Sequence, residues 1–382
     1  MKIVLMASFF IGVWQGLFPS LSHAKDQDPD AVSSLQALKI AAAKRDLRRS
    51  EIRPEGALAS LIPSIEEDYK ANRFDAVIEA VRAIPDEEKP VELHLMHGNA
   101  LFLLGRSEAA VGAYQQAFRM AALPREKAAA LANFGFILLN KGRWQDAASW
   151  LERALQIDRS INDWASQGRA LSGLGIAYLQ SGDTEKGVEA HIEALEIAET
   201  VPIDWLQARQ LKILGNLYYL DGILHLAQDH YQKAIRIYRR LGDPLGEAAV
   251  LNGLGFVYKD RKDFDQAIDH QKRALSIYRR VNDAEKVTKG LVNLSLTYRD
   301  QGAFNAALDL GEQVLSIQTK NGNRYGMAEI EGTIGTIYEQ KGDLGEALRR
   351  LERARSHFQA AGATQQIHIV ELRIQALEDR LQ

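Results

Sequence analysis

The chain has 382 residues, with 47 basic against 50 acidic side chains, a formal net charge of −3, and 46% hydrophobic content. That balance describes a folded, soluble protein and removes any global electrostatic case for nucleic acid or an anionic membrane surface. Cysteine is absent, which excludes disulfides, thiol nucleophiles, iron–sulfur clusters and thiolate zinc sites.

Residues 1–24 read as a secretory signal peptide. Lys2 precedes an apolar run from Ile3 to Phe18, and the small residues Ser22 and Ala24 predict cleavage after Ala24. The run is short for a membrane span and contains Ser8, Gln15 and Gly16; retention as an N-terminal anchor is the alternative. A lipoprotein signal would need a cysteine. The expectation is an exported protein with no integral span after cleavage, periplasmic if the source is Gram-negative and otherwise secreted. Residues 25–56 form a polar linker, Lys25-Asp26-Gln27-Asp28-Pro29, and then a basic helical stretch from Ala31 to Arg49, closed by Pro54 and Gly56.

From 57 to 362 the chain repeats itself. Leu171, Leu174, Gly175 and Tyr178 recur 40 residues later as Leu211, Leu214, Gly215 and Tyr218, and again as Leu251, Leu254, Gly255 and Tyr258. The pattern continues through Leu291, Leu294, Ser295 and Tyr298 to Ile334, Gly335 and Tyr338, and runs backwards through Gly135 and Gly98. A degenerate first copy surrounds Asn72-Arg73-Phe74-Asp75. Apolar positions spaced i, i+3, i+7 predict one helix per unit, and Ala227, Tyr231, Ala234 and their equivalents predict a second. A turn marked by Gly142, Gly182, Gly222, Gly302 and Gly342 joins the two, with Lys262 in place of glycine once. Pairs such as Asn162-Asp163, Gly242-Asp243 and Asn282-Asp283 end one hairpin and cap the next. The glycine inside each first helix costs about 1 kcal/mol relative to alanine, so its recurrence predicts a close approach by a neighbouring helix backbone. A lone hairpin leaves its apolar face uncovered, so neighbours must stack.

These residues resemble the tetratricopeptide repeat family, whose pattern includes L-G-x-x-Y and A-x-x-x-F/Y. The 40-residue period departs from the usual 34 and is similar to the repeats of kinesin light chains and LGN-type adaptors. The resemblance implies an all-α fold: a right-handed solenoid of helix–turn–helix hairpins with about seven clear repeats. Residues 363–382 then read as a C-terminal capping helix, with Ile367, Val370, Ile374, Leu377 and Leu381 facing the stack.

Chemistry-bearing motifs are sparse. His94 and His97, at i, i+3, suit a metal by spacing, yet they occupy positions held by Leu or Phe in other units and no third acidic ligand is apparent. A metal- or carbohydrate-binding envelope enzyme built on them is the weakest reading; no catalytic residue, metal or cofactor is expected. His230 and His270 share one repeat position with Trp150 and read as a packing ladder. Trp144, Trp164 and Trp205 read as packed between helices. Glu66-Glu67, Asp86-Glu87-Glu88 and the pair Asp28 and Asp30 read as solvated charge.

What remains is a surface. The resemblance places the first helix of each hairpin along a concave groove. Its floor would carry Asn99, Phe136, Ile176, Asn216, Phe256, Leu296 and Thr336. The flanking register positions would add Ser172, Lys212 and Asn252, and also Arg169, Arg209, Lys289, Tyr219, Lys259 and Arg299, with Asp260 and Asp300 partly offsetting the cations. Asparagine both donates and accepts, and Arg or Lys holds carboxylates. The expected function is a non-enzymatic scaffold of the cell envelope, in an assembly or secretion complex. It would bind a protein or peptide partner of acidic character, and no nucleic acid. Two alternatives stand: a peptide-responsive receptor whose superhelix changes curvature, and binding on the convex side with these charges merely solvated. The pattern fixes no oligomeric state.

Overall fold

A computed structural model describes residues 58–85 and 88–381. The leader (1–24), the linker and basic stretch (25–56), and Asp86-Glu87 lie outside the described residues, so the expectations for them stay at the level of sequence. Among the described residues every regular element is helical, no strand occurs, and no helix is long and apolar enough to cross a membrane.

The chain divides into two compact units, at Leu214 and Gly215. The first unit contains α1 (Leu58–Lys70), α2 (Phe74–Arg82), α3 (Val91–Leu103), α4 (Ser107–Met120), α5 (Pro124–Asn140), α6 (Trp144–Ser160), α7 (Trp164–Ser181) and α8 (Thr184–Thr200), and it ends within α9 (Asp204–Leu220). The second continues through α10 (Leu224–Leu241), α11 (Pro244–Asp260), α12 (Phe264–Arg280), α13 (Ala284–Gln301), α14 (Phe304–Lys320), α15 (Arg324–Lys341), α16 (Leu344–Ala360) and α17 (Thr364–Leu381). Within each unit consecutive helices pack as hairpins, and in the first unit α3, α5 and α7 also touch in succession. The repeat marks every hairpin but gives no sign of a boundary inside α9.

The turns follow the predicted chemistry. Lys262 takes the left-handed conformation (φ +62°) that glycine adopts at Gly182, Gly302 and Gly342. Carboxylates or an amide then cap the helices that follow: Asp163, Asp243, Asp283 and Asn323 accept from the backbone N–H groups of Ser166, Gly246, Lys286 and Gly326. Asp183, Asp263 and Asp343 do the same for the second helix of their hairpins.

The recurring first-helix glycine makes room for side chains as well as for the neighbouring backbone that was expected. A Cβ at Gly98 would lie 2.4 Å from the Tyr114 ring, and at Gly175 2.6 Å from His191. Leu151, Tyr231 and Gln271 fill the same role against Gly135, Gly215 and Gly255. Backbone is close as well, with the Ala147, Ala267 and Ala347 carbonyls at 3.3 Å from a Cβ at Gly135, Gly255 and Gly335. A large side chain of the second helix therefore crosses over the first. Where Ser295 replaces the glycine, position 311 is itself glycine, and the Ser295 hydroxyl donates to the Ala307 carbonyl at 2.7 Å.

Two apolar expectations need correction. Trp144, Trp150 and Trp205 pack on the core, but Trp164, at the first position of α7, is 47% exposed, because its side chain leaves the helix start on the turn side. On α17, Val370, Ile374 and Leu377 are buried, whereas Leu381 in the last turn is exposed, as are Ile369 and Leu372 on the opposite face. The second unit also holds a buried ion cluster. Arg350 contacts Glu312 at 2.7 Å, Glu346 at 3.0 Å and Glu331 at 3.1 Å. Burial opposes the charge on Arg350, but hydrogen bonds with Glu331 and Glu346 more than offset it and hold its pKa above the usual arginine range.

Candidate functional site

In the first unit the first-helix surface is built mainly by α7 and the start of α9. Arg169 is the sole charged residue of α7. On the next first helix, α9, Arg209 and Lys212 lie at i, i+3 and so share a face. All three are more than nine-tenths buried, at 5%, 4% and 7% exposure. The Arg169 Nε has no hydrogen-bond partner among the described residues. Desolvated cations gain more from an added anion than solvated ones do, because the surrounding dielectric is low.

Ser172 does not line that surface. It is fully buried and accepts from the Gln210 amide at 2.9 Å, while Gln210 Oε1 meets His191 Nδ1 at 2.8 Å. This Ser172–Gln210–His191 chain spans α7, α8 and α9. Burial first, and then the charge of Arg209, lower the His191 pKa to about 4 against the opposing pull of Gln210. Sequence reasoning missed both partners. The signal for His191 was its position in the register of Tyr114, Leu151 and Tyr231; Gln210 left none.

Nearer the start of the unit, the Tyr114 hydroxyl donates to Asn99 Oδ1 at 2.6 Å. The Asn99 and Asn133 amide nitrogens are buried without an acceptor among the described residues. His94 is buried and His97 partly so, and no group of three or more His, Cys, Asp or Glu capable of holding a metal occurs among the described residues.

The second unit arranges the same surface differently. The Tyr231 hydroxyl donates to Asn216 Oδ1 at 2.7 Å. The Tyr219 and Phe256 rings stack at 6.1 Å, and the Tyr219 hydroxyl donates to Asp260 at 2.8 Å. Burial and that carboxylate raise the tyrosine pKa well above its ordinary value. Lys259 lies over Phe256 at 5.5 Å and spans Asp260 at 3.8 Å and Asp300 at 3.7 Å. Arg299 donates twice to Asp300, at 2.9 and 2.6 Å. The Asn293 side-chain amide donates to Asn252 Oδ1 at 3.2 Å, and Lys289 makes an exposed contact with Glu285 at 3.2 Å. Asp260 and Asp300 thus offset the row in part, as expected, by pairing with Lys259 and Arg299.

The ladder positions pack as rings on rings. His230 meets Tyr218 at 4.9 Å, His270 meets Tyr258 at 5.2 Å, and Trp150 meets Phe134 at 4.9 Å.

Comparison with known proteins adds the following. The family model described as tetratricopeptide repeat matches residues 126–200, 207–280 and 286–360, more than half of the chain. No curated protein matches the sequence. Among solved structures, BtubC (BKLC) from P. vanneervenii is similar at 20% identity and TM-score 0.51, over 57% of this chain and 92% of that one. The apo form of RapI is similar at 17% identity and TM-score 0.56, over 71% of this chain and 99% of its own. A Rap protein complexed with Competence and Sporulation Factor is similar at 15% identity and TM-score 0.55, over 92% and 96%. At these identities the likenesses bear on the fold.

Proposed function

Since this chain belongs to the tetratricopeptide repeat family, we propose that it is a non-enzymatic interaction scaffold that binds an acidic segment of a protein partner on its first helices. The observation that carries the reading is the trio Arg169, Arg209 and Lys212, three cations contributed by two successive first helices and held largely out of water. A Rap protein of this fold is complexed with Competence and Sporulation Factor, which supports ligand capture by such an array. The leader-like residues 1–24 support a place outside the cytoplasm, in an envelope assembly or secretion complex. On this reading Asn252, Phe256, Lys259 and Arg299 give a neutral, amphipathic surface, and Lys289 contributes little.

Selection of random 12-residue peptides displayed on phage tests the proposal. Peptides retained by the purified chain should be enriched in Asp and Glu, and their binding should weaken with salt. Enrichment of neutral or basic peptides would refute the acidic-partner reading.

A further inference from the structure

Two second helices of the second unit carry a charge pattern that the hairpin frame does not explain. From 230 to 242 on α10, Lys233, Arg236, Arg239 and Arg240 occur with no carboxylate. From 270 to 282 on α12, Lys272, Arg273, Arg279 and Arg280 do the same. All of these cations are exposed. The matching stretch of α8 is the opposite, with Glu193, Glu196 and Glu199 and no Lys or Arg, and that of α14 holds only Glu312 and Lys320. A cation near a helix C-terminus complements the helix dipole, yet α8 has the same 17 residues as α12 and no basic residue in its last turn. The two basic rows are neighbours in space. Burial first, then Arg273 of its own helix and Arg239 of α10, lower the His270 pKa on α12. Lys233, Arg239 and Arg273 meet Asp229, Glu247 and Asp269 at 2.8, 2.7 and 3.3 Å, each with an exposed cation. Surface pairs of that kind exchange readily with solvent. Arg279 and Arg280 make no ion pair among the described residues.

A second feature adjoins the first. Each arginine pair is followed directly by an aliphatic residue at the turn, Leu241 after Arg240 and Val281 after Arg280. Leu241 is 41% exposed, beside the left-handed Gly242, and Val281 is half-buried. Other hairpins also place an aliphatic residue here, Ile161 and Val201, but neither follows an arginine pair. A nucleic acid would engage the cations and leave the aliphatic tips in water, whereas phosphate headgroups above an acyl layer engage both. We propose that this edge of the second unit is a docking surface for an anionic phospholipid membrane, with Arg239, Arg240, Arg279 and Arg280 on the phosphates and Leu241 and Val281 entering the headgroup layer. The attraction is local, since the whole chain carries −3. The surface lies on second helices and shares no residue with the first-helix surface of the scaffold reading, so either can stand without the other.

Co-sedimentation of the full chain with phosphatidylcholine vesicles, with and without phosphatidylglycerol, tests the assignment. Residues 1–24 are common to every variant, so comparison between variants isolates the edge. Wild type should prefer the anionic vesicles by about tenfold or more, and lose that preference as salt rises. Arg239→Gln, Arg240→Gln, Arg279→Gln and Arg280→Gln combined should reduce anionic binding by about tenfold. Leu241→Ser alone should weaken it by about threefold while keeping the salt dependence. A control that removes the same charge from exposed positions elsewhere, Arg82→Gln, Arg119→Gln, Arg143→Gln and Arg349→Gln, should change binding by less than about twofold. Equal losses in the two quadruple variants would reduce the effect to net charge and overturn the proposal, as would a wild type with no preference for anionic vesicles. If circular dichroism shows that the first quadruple variant has lost helicity, Leu241→Ser decides: unchanged binding there overturns the proposal. If wild type ignores both vesicles while the first quadruple variant releases the phage-selected peptides, the edge docks protein, and the lipid assignment falls while the scaffold reading stands.

Discussion

The two units share one backbone plan and differ in what they do with positive charge. In the second, every cation of the candidate surface has an acid beside it on its own helix: Lys259 next to Asp260, Arg299 next to Asp300, Lys289 one turn from Glu285. The first seals Arg169, Arg209 and Lys212 away from solvent and spends its neutral hydrogen bonds on the Ser172–Gln210–His191 chain. A surface ion pair is worth about 0–1 kcal/mol, so the paired surface is nearly indifferent to a partner's charge. The buried cations respond more strongly to a change of charge beside them, because desolvation makes each neighbouring ion count for more. The difference teaches that in a repeat array binding character is set one residue at a time, on a frame that tolerates either solution.

Three substitutions sharpen or break this contrast. The largest effect is expected at the one place where the second unit buries charge. Arg350→Ala leaves the buried Glu331 with only the more distant Arg353, at 3.9 Å, and should lower unfolding stability by about 3 kcal/mol; a urea titration measures it, and a loss below about 1 kcal/mol would mean that the carboxylates are solvated. Next comes acid sensitivity in the first unit. His191 is neutral in the fold, with a pKa of about 4, while an unfolded histidine titrates near pH 6.5. Protons therefore bind the unfolded chain first, and stability present above pH 6.5 is lost as pH falls towards 4, by about 3 kcal/mol in all. His191→Leu copies Leu151 at the same register; it should be less stable at neutral pH by about 1–3 kcal/mol, because it strands Gln210, yet show no such histidine-dependent slope. An identical slope in the variant would place the acid sensitivity elsewhere. The smallest effect lies at one of the left-handed turns of the second unit. Lys262→Gly removes a strained φ of +62° and should raise stability by about 1 kcal/mol, seen as a melting temperature a few degrees higher.

The fold was legible in the sequence because its determinants repeat. Asp163, Asp243 and Asp283 sit where the spacing placed them and cap the helices they were expected to cap. The first-helix glycine was legible as a close approach but not as to what approaches, since the period does not say that Tyr114 or His191 crosses there. The candidate surface was less legible. Register assigns Ser172 and Arg169 to the same helix, but a modest rotation about the axis decides that Ser172 turns inward to Gln210. Pairing is also hidden, because the reach of a lysine depends on side chains from two helices, as Lys259 shows by spanning Asp260 and Asp300. Trp164 and Leu381 were misplaced because both lie in terminal turns, where the neighbouring hairpin no longer covers the helix. The boundary at Leu214 and Gly215 falls within α9, in a stretch whose sequence follows the repeat like any other.

The central claim is that binding character resides in the sealed cations of the first unit. It is tested most directly by two paired charge reversals measured against the same phage-selected peptides. Arg209→Glu with Lys212→Glu should weaken binding at least tenfold, while Lys259→Glu with Arg299→Glu should change it less than about threefold. Equal losses from the two pairs, or a larger loss from the second, would contradict the account.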